Sequence, residues 1–181
     1  MSQMCRSHLP LLVHRAINFA ISSMKKGGIE QPVLFYLKQE NSEVQFLQVG
    51  HLYDSTAEGR DRLQNVLQYN NASSYALVYE ANWVILDPAQ ATKIDVSTSR
   101  KEVYRQLGCG NSLANHPDKQ EIVLISYQVR GEAPRVWFSF LSRKQKRVRL
   151  GGFIDGLKNG GAPLGGLTVT LFNDRGDSKN E

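Results

Sequence analysis

Glu80 is the residue of this chain whose type and surroundings point most directly to chemistry, because it is the one charge in a mostly apolar run from Tyr75 to Leu86. A carboxylate in such a run is costly unless it is paired or opens on a cleft. The groups that could join it are Asn82, His116 and Glu121. Two carboxylates with an imidazole suit general acid/base work of a hydrolase-like kind, and are also suitable ligands for a divalent metal. The simpler alternative is an ion pair between Glu80 and a nearby Arg or Lys, with Glu121 as a solvated strand start and His116 in an exposed turn.

Other catalytic arrangements find no support. No GxSxG surrounds a serine, and neither Cys5 nor Cys109 stands beside a recognisable base. Gly151, Gly152 and Gly156 follow no strand that leads into a helix with a phosphate-binding lysine. His8, His14 and His51 are scattered and build no site. No cofactor and no resident metal are therefore expected.

A second kind of chemistry is electrostatic. Arg143, Lys144, Lys146, Arg147 and Arg149 place five cations within seven residues, and without them the 22 basic and 17 acidic residues would be equal in number. The net charge of +5 is thus one local patch, not a property of the whole chain. The patch follows a strand carrying Arg135 and Trp137. Cations beside an exposed aromatic suit single-stranded nucleic acid, where phosphates meet Lys and Arg while bases stack on the ring. An acidic protein is the other partner expected. A solvated basic turn guarding a sheet edge, with Trp137 under a helix, is the plainer reading.

The positions of these residues depend on the elements that carry them. Leu9, Val13, Ala16, Ile17, Ala20 and Met24 share one helical face, and Gly27 and Gly28 stop it. Residues 32–38 and 44–50 read as a hairpin. Ser55 and Glu58 have capping-box spacing ahead of a second helix carrying Leu63, Val66 and Leu67. Tyr75–Leu86 is a central strand, with Tyr75, Leu77, Tyr79, Ala81 and Trp83 on one side and Ala76, Val78, Glu80 and Asn82 on the other. Ser99 and Glu102 open a short helix that ends at Gly108. Glu121–Arg130 and Arg135–Ser142 form a hairpin through Gly131 and Glu132. The expected register puts Tyr127, Ile125, Val123, Val136, Phe138 and Phe140 on a core face, with Gln128, Ser126, Arg135, Leu124 and Trp137 opposite. Leu124 and Trp137 could then form a subunit contact of a homo-oligomer or lie beneath a helix.

The expected fold class is α+β: an antiparallel sheet of about five strands with two main helices packed on one face. Residues 1–155 form a single domain, and the glycine-rich 156–181 a flexible tail. A hydrophobic share of 41% over 181 residues is enough for one core without disulfides. Two isolated cysteines fit a reducing, cytoplasmic compartment, and no window has the length and apolarity of a membrane span.

Two resemblances attach to particular residues. His116, Pro117, Asp118 and Lys119, after Tyr104, Arg105, Gln106 and Leu107, resemble the tetrapeptide and preceding helix of J-domain co-chaperones. That resemblance implies contact with an Hsp70 partner from a loop between two antiparallel helices. The alternating, β-branched run from Glu121 to Tyr127 reads instead as a strand, with Pro117 and Asp118 making a turn before it. Glu80, Ala81 and Trp83 with His116, Pro117, Asp118 and Glu121 resemble uncharacterised bacterial proteins of similar size, with Asn82 as a departure from their pattern. This implies an α+β fold and no activity. The leading functional expectation is a non-enzymatic binding or accessory module, with an enzyme using Glu80, His116 and Glu121 as the alternative and a co-chaperone as the remote one.

Overall fold

The computed structural model describes residues 9–40, 43–50, 52, 57–84, 89, 92–95, 100–144, 147–156 and 171–172, the side chains of residues 57, 100 and 147 excepted. In chain order the elements are α1 (Leu11–Met24), β1 (Val33–Lys38), β2 (Val44–Gln48), α2 (Ala57–Tyr69), β3 (Ala72–Trp83), α3 (Arg100–Gln106), β4 (Gln120–Val129), β5 (Arg135–Lys144), β6 (Arg147–Leu150) and β7 (Ile154–Asp155). One 3-10 turn, Leu113–Asn115, precedes β4. The expected caps Ser55 and Ser99 lie outside the described residues.

The sheet is antiparallel throughout, in the order β2-β1-β3-β4-β5-β6 with β7 also on β5. The α+β class holds, and among the described residues two short strands, β6 and β7, extend the expected five to seven. The long β3 and β4 pair over Ser74–Trp83 and form the centre.

β3 is apolar on both sides, and strands of that kind need a cover on each. Here each face has its own helix, so the expectation of both helices on one face is corrected. Leu12, Val13, Ala16, Ile17, Ala20 and Met24 of α1 pack with Val33, Phe35, Ala76, Val78, Val123, Ile125 and Trp137. Leu63 and Leu67 of α2 pack with Leu34, Tyr36, Tyr75 and Leu77, the alternate positions of the same strands. The first side is called the α1 face below and the second the α2 face.

The α2 face is completed from far along the chain. Leu171 and Phe172, in the stretch expected to be a flexible tail, are buried in its core. The Leu171 N–H donates to the Tyr75 hydroxyl (3.1 Å) and the Phe172 N–H to Gln128 Oε1 (3.2 Å), which also accepts from the Tyr75 hydroxyl. The Arg130 guanidinium lies 5.0 Å from the Phe172 ring centre. These contacts give the buried Tyr75 and Gln128 side chains the partners that burial demands. The rest of 157–181 lies outside the described residues.

The β4–β5 register differs from the expected one by a single residue: Ile125 pairs with Trp137, Leu124 with Phe138 and Ile122 with Phe140. A one-residue slip exchanges the two faces of a strand. Val136, Phe138 and Phe140 therefore share the α2 side with Leu124, whereas Arg135 and Trp137 join Tyr127, Ile125 and Val123 on the α1 side. Leu124 and Trp137 lie on opposite faces, both fully buried.

Candidate functional site

Strand alternation divides the basic run between the two faces. On β5, the α1 side carries Arg135, Trp137, Ser139, Leu141 and Arg143, and Leu141 packs with Val148 and Leu150 of β6 in the α1 core. The other side carries Phe138, Phe140, Ser142 and Lys144, with Arg149 opposite Ser142 and position 147 opposite Lys144 in the register.

Arg143 reaches back to the centre of the sheet. Its Nε donates to Glu121 Oε2 at 2.6 Å, its Nη2 to Glu80 Oε2, and its Nη1 to the Gly27 carbonyl at 3.0 Å. The Ile29 N–H donates to Glu80 Oε1 at 2.7 Å. One guanidinium thus links β3, β4 and β5 to the chain leaving α1. The planar fork of arginine suits such multiple recognition of carboxylates. Its hydrogen bond to Glu121 and the nearby Glu80 charge outweigh partial desolvation and raise the Arg143 pKa further, so it is cationic at any ordinary pH.

Gly28 fits this arrangement for a geometric reason. Its φ is +135°, and a Cβ there would stand 2.6 Å from Glu80 Oε1, a carboxylate oxygen already held by Ile29. A side chain at position 28 would meet both a strained backbone and the ion pair.

Glu80 and Glu121 accordingly come together, but through a cation. His116 does not join them: its ring Nδ1 accepts from the Asp118 N–H at 3.1 Å, within its own turn. Among the described residues no three His, Cys, Asp or Glu side chains gather as metal ligands. The geometry at Glu80 is a structural clamp, with carboxylate oxygens committed to Arg143 and Ile29.

The turn at His116 follows from local chemistry. His116 precedes Pro117 and is extended (φ −70°, ψ 135°), and the Lys119 N–H closes back on the His116 carbonyl at 3.3 Å. The preceding α3 is helical, as the J-domain resemblance implies, but β4 begins at Gln120 where that resemblance requires a second helix. The tetrapeptide is thus outside its helix-loop-helix setting.

Cys109 is a buried free thiol whose pKa is raised by desolvation, the opposite of an activated nucleophile. Cys5 lies outside the described residues. In α3, Glu102 is held near pKa 2, chiefly by its hydrogen bond to Arg105, in an exposed i,i+3 ion pair.

The aromatic neighbour expected for the basic run is corrected. Trp137 is fully buried under α1, and the Arg135 guanidinium lies 4.8 Å from its ring centre while donating to the buried Asp155 at 2.9 Å. Trp137 therefore offers no exposed ring, and Arg135, although 39% of its side chain is exposed, is tied to Asp155 and the indole on the α1 side. Lys144 and Arg149 are exposed; Lys146 and the side chain of Arg147 lie outside the described residues.

The residues that do share a side with Lys144 and Arg149 were not singled out from the sequence. Phe140 and Trp83 are partly buried on the face away from α1, where they form a cluster with buried Phe138. Ring centres are 4.6 Å apart for Trp83–Phe138, 5.7 Å for Phe138–Phe140 and 6.4 Å for Trp83–Phe140. The signal was present as period-two alternation from Phe140 through Ser142 to Lys144, but it identifies a face only when the register is known. Lys25 and Lys26 are also exposed, just before the Gly27 carbonyl that Arg143 holds.

At the other end of α1, an open groove of about 370 Å³ is lined by Leu11, Arg15, Phe35, Glu43, Val44 and Phe46. No helix of the described residues is long and apolar enough to cross a membrane. Compared with known proteins, the chain matches no family, no curated protein and no solved structure.

Proposed function

We propose that this chain is a non-enzymatic binding module that takes a polyanionic partner on the β5–β6 hairpin, on the side away from α1. The observation that carries this reading is the separation of charges within the basic run. Arg143 is neutralised by two carboxylates, whereas Lys144 and Arg149 stay exposed on the opposite side. Exposed cations on a sheet held in place by their neighbour form a preorganised surface for phosphates or carboxylates. The aromatic cluster of Trp83, Phe138 and Phe140 lies on that side and gives it apolar contact area. A cytoplasmic setting accords with the free thiol of Cys109.

The test is binding of heparin as a generic polyanion, followed by fluorescence anisotropy over a salt series. Binding should weaken with rising salt, and Lys144→Gln combined with Arg149→Gln should remove most of it at unchanged thermal stability. Undiminished binding by the double variant would refute this location for the site.

A further inference from the structure

We infer that the polyanion is a single-stranded nucleic acid whose bases stack on Phe140 and Trp83; this rests on the polyanion reading above and names its partner. Three observations lead there. The cations and the rings share one side of one sheet: Phe140, Ser142 and Lys144 alternate along β5, and Arg149 stands beside Ser142 on β6. Same-side neighbours on a strand lie about 6.6–6.8 Å apart, so Lys144 stands about 13 Å along the strand from Phe140, with Arg149 beside Ser142 between them; ring and cations can serve successive units of one extended chain. The rings are also supported, since Phe138 is buried beside them on the same face and contacts both Trp83 and Phe140. Finally, both rings keep part of their surface accessible despite lying in an apolar cluster.

Each class of polyanion uses these features differently. A duplex keeps its base faces stacked inside and would meet only Lys144 and Arg149. An acidic peptide would also need only the cations. A single strand has unstacked bases with free faces, so it gains from charge and rings together, and base–aromatic stacking tolerates any sequence. The partner that uses the whole surface is therefore the single strand, with little sequence preference. Two phosphate contacts correspond to a slope of roughly −1.4 in log K against log salt.

The experiment compares labelled oligothymidylate, a duplex of equal length and a polyglutamate peptide, by anisotropy at low salt with the full chain. Oligothymidylate should bind at least about tenfold tighter than either competitor, as expected when stacking adds to charge. Phe140→Leu keeps an apolar side chain but loses the ring, and should weaken oligothymidylate about 5- to 150-fold. Phe140→Tyr keeps the ring and should bind like the parent, while neither change should alter polyglutamate binding. Equal affinity for the three ligands, with Phe140→Leu silent, overturns the single-strand assignment and leaves the polyanion reading standing. Loss of oligothymidylate binding in both Phe140 variants, with their thermal transitions intact, overturns the stacking role. Failure of all three ligands to bind overturns both readings.

Discussion

Arg143 and Lys144 are neighbours in the chain and opposites in the fold. Arg143 turns to the α1 side, where Glu80, Glu121 and the Gly27 carbonyl surround its guanidinium. Lys144 turns to the other side and stays exposed, as does Arg149 across the hairpin. Equal formal charge in a run therefore says little about availability; the two-residue period of a strand decides which cations the fold uses and which it leaves for a partner.

The sharpest test of this division is at Trp137, placed on the structural side by the same alternation. Trp137→Ala should cost about 3–5 kcal/mol in denaturant unfolding, since it empties a large site under α1. The indole Nε1 has no hydrogen-bond partner among the described residues, so the loss is of packing. A change near zero would mean that the β5 register assigned here is wrong. Next comes Arg143→Met, expected to destabilise by about 1–2 kcal/mol. The value is moderated by solvent, because 38% of the Arg143 side chain is exposed and 42% of that of Glu121. If instead this variant leaves stability unchanged and lowers heparin affinity as much as the double variant does, the two sides are not functionally distinct. The smallest effect belongs to Lys144→Gln with Arg149→Gln, whose unfolding free energy should remain within about 0.5 kcal/mol of the parent. A larger loss would place these residues in the structural group with Arg143.

Much of the fold is legible in the amino-acid order alone. The helical period of Leu9 to Met24, the glycine stop after it and the two apolar sides of β3 are strong local signals, and each matches an observed element. Glu80 was also legible as a residue in need of a partner, since a carboxylate in an apolar strand advertises its cost. Its partner was not, because Arg143 is 63 positions away and the sequence carries no measure of that distance in space. The β4–β5 register was hidden for a different reason. Val136, Trp137, Phe138, Phe140 and Leu141 are apolar on both sides of β5, so alternation gives no preferred phase and the five-residue turn through Gly131 and Pro134 decides it. That one-residue slip moved Trp137 inward and brought Phe140 to the side of Lys144. The placing of both helices on one face failed because periodicity identifies the buried side of a helix but not the side of the sheet it covers.

The hydroxyl of Tyr75 and the amide of Gln128 accept main-chain N–H groups from Leu171 and Phe172, and the first of these bonds spans 96 residues. During synthesis this imposes an order. A nascent chain that has emerged only as far as β7 has β1 to β7, yet Tyr75 and Gln128 still lack those donors and the core beneath α2 still lacks two of its side chains. Until the ribosome has delivered Phe172, that side of the sheet stays partly open, a temporary surface of the kind that chaperones engage and that neighbouring chains can aggregate upon.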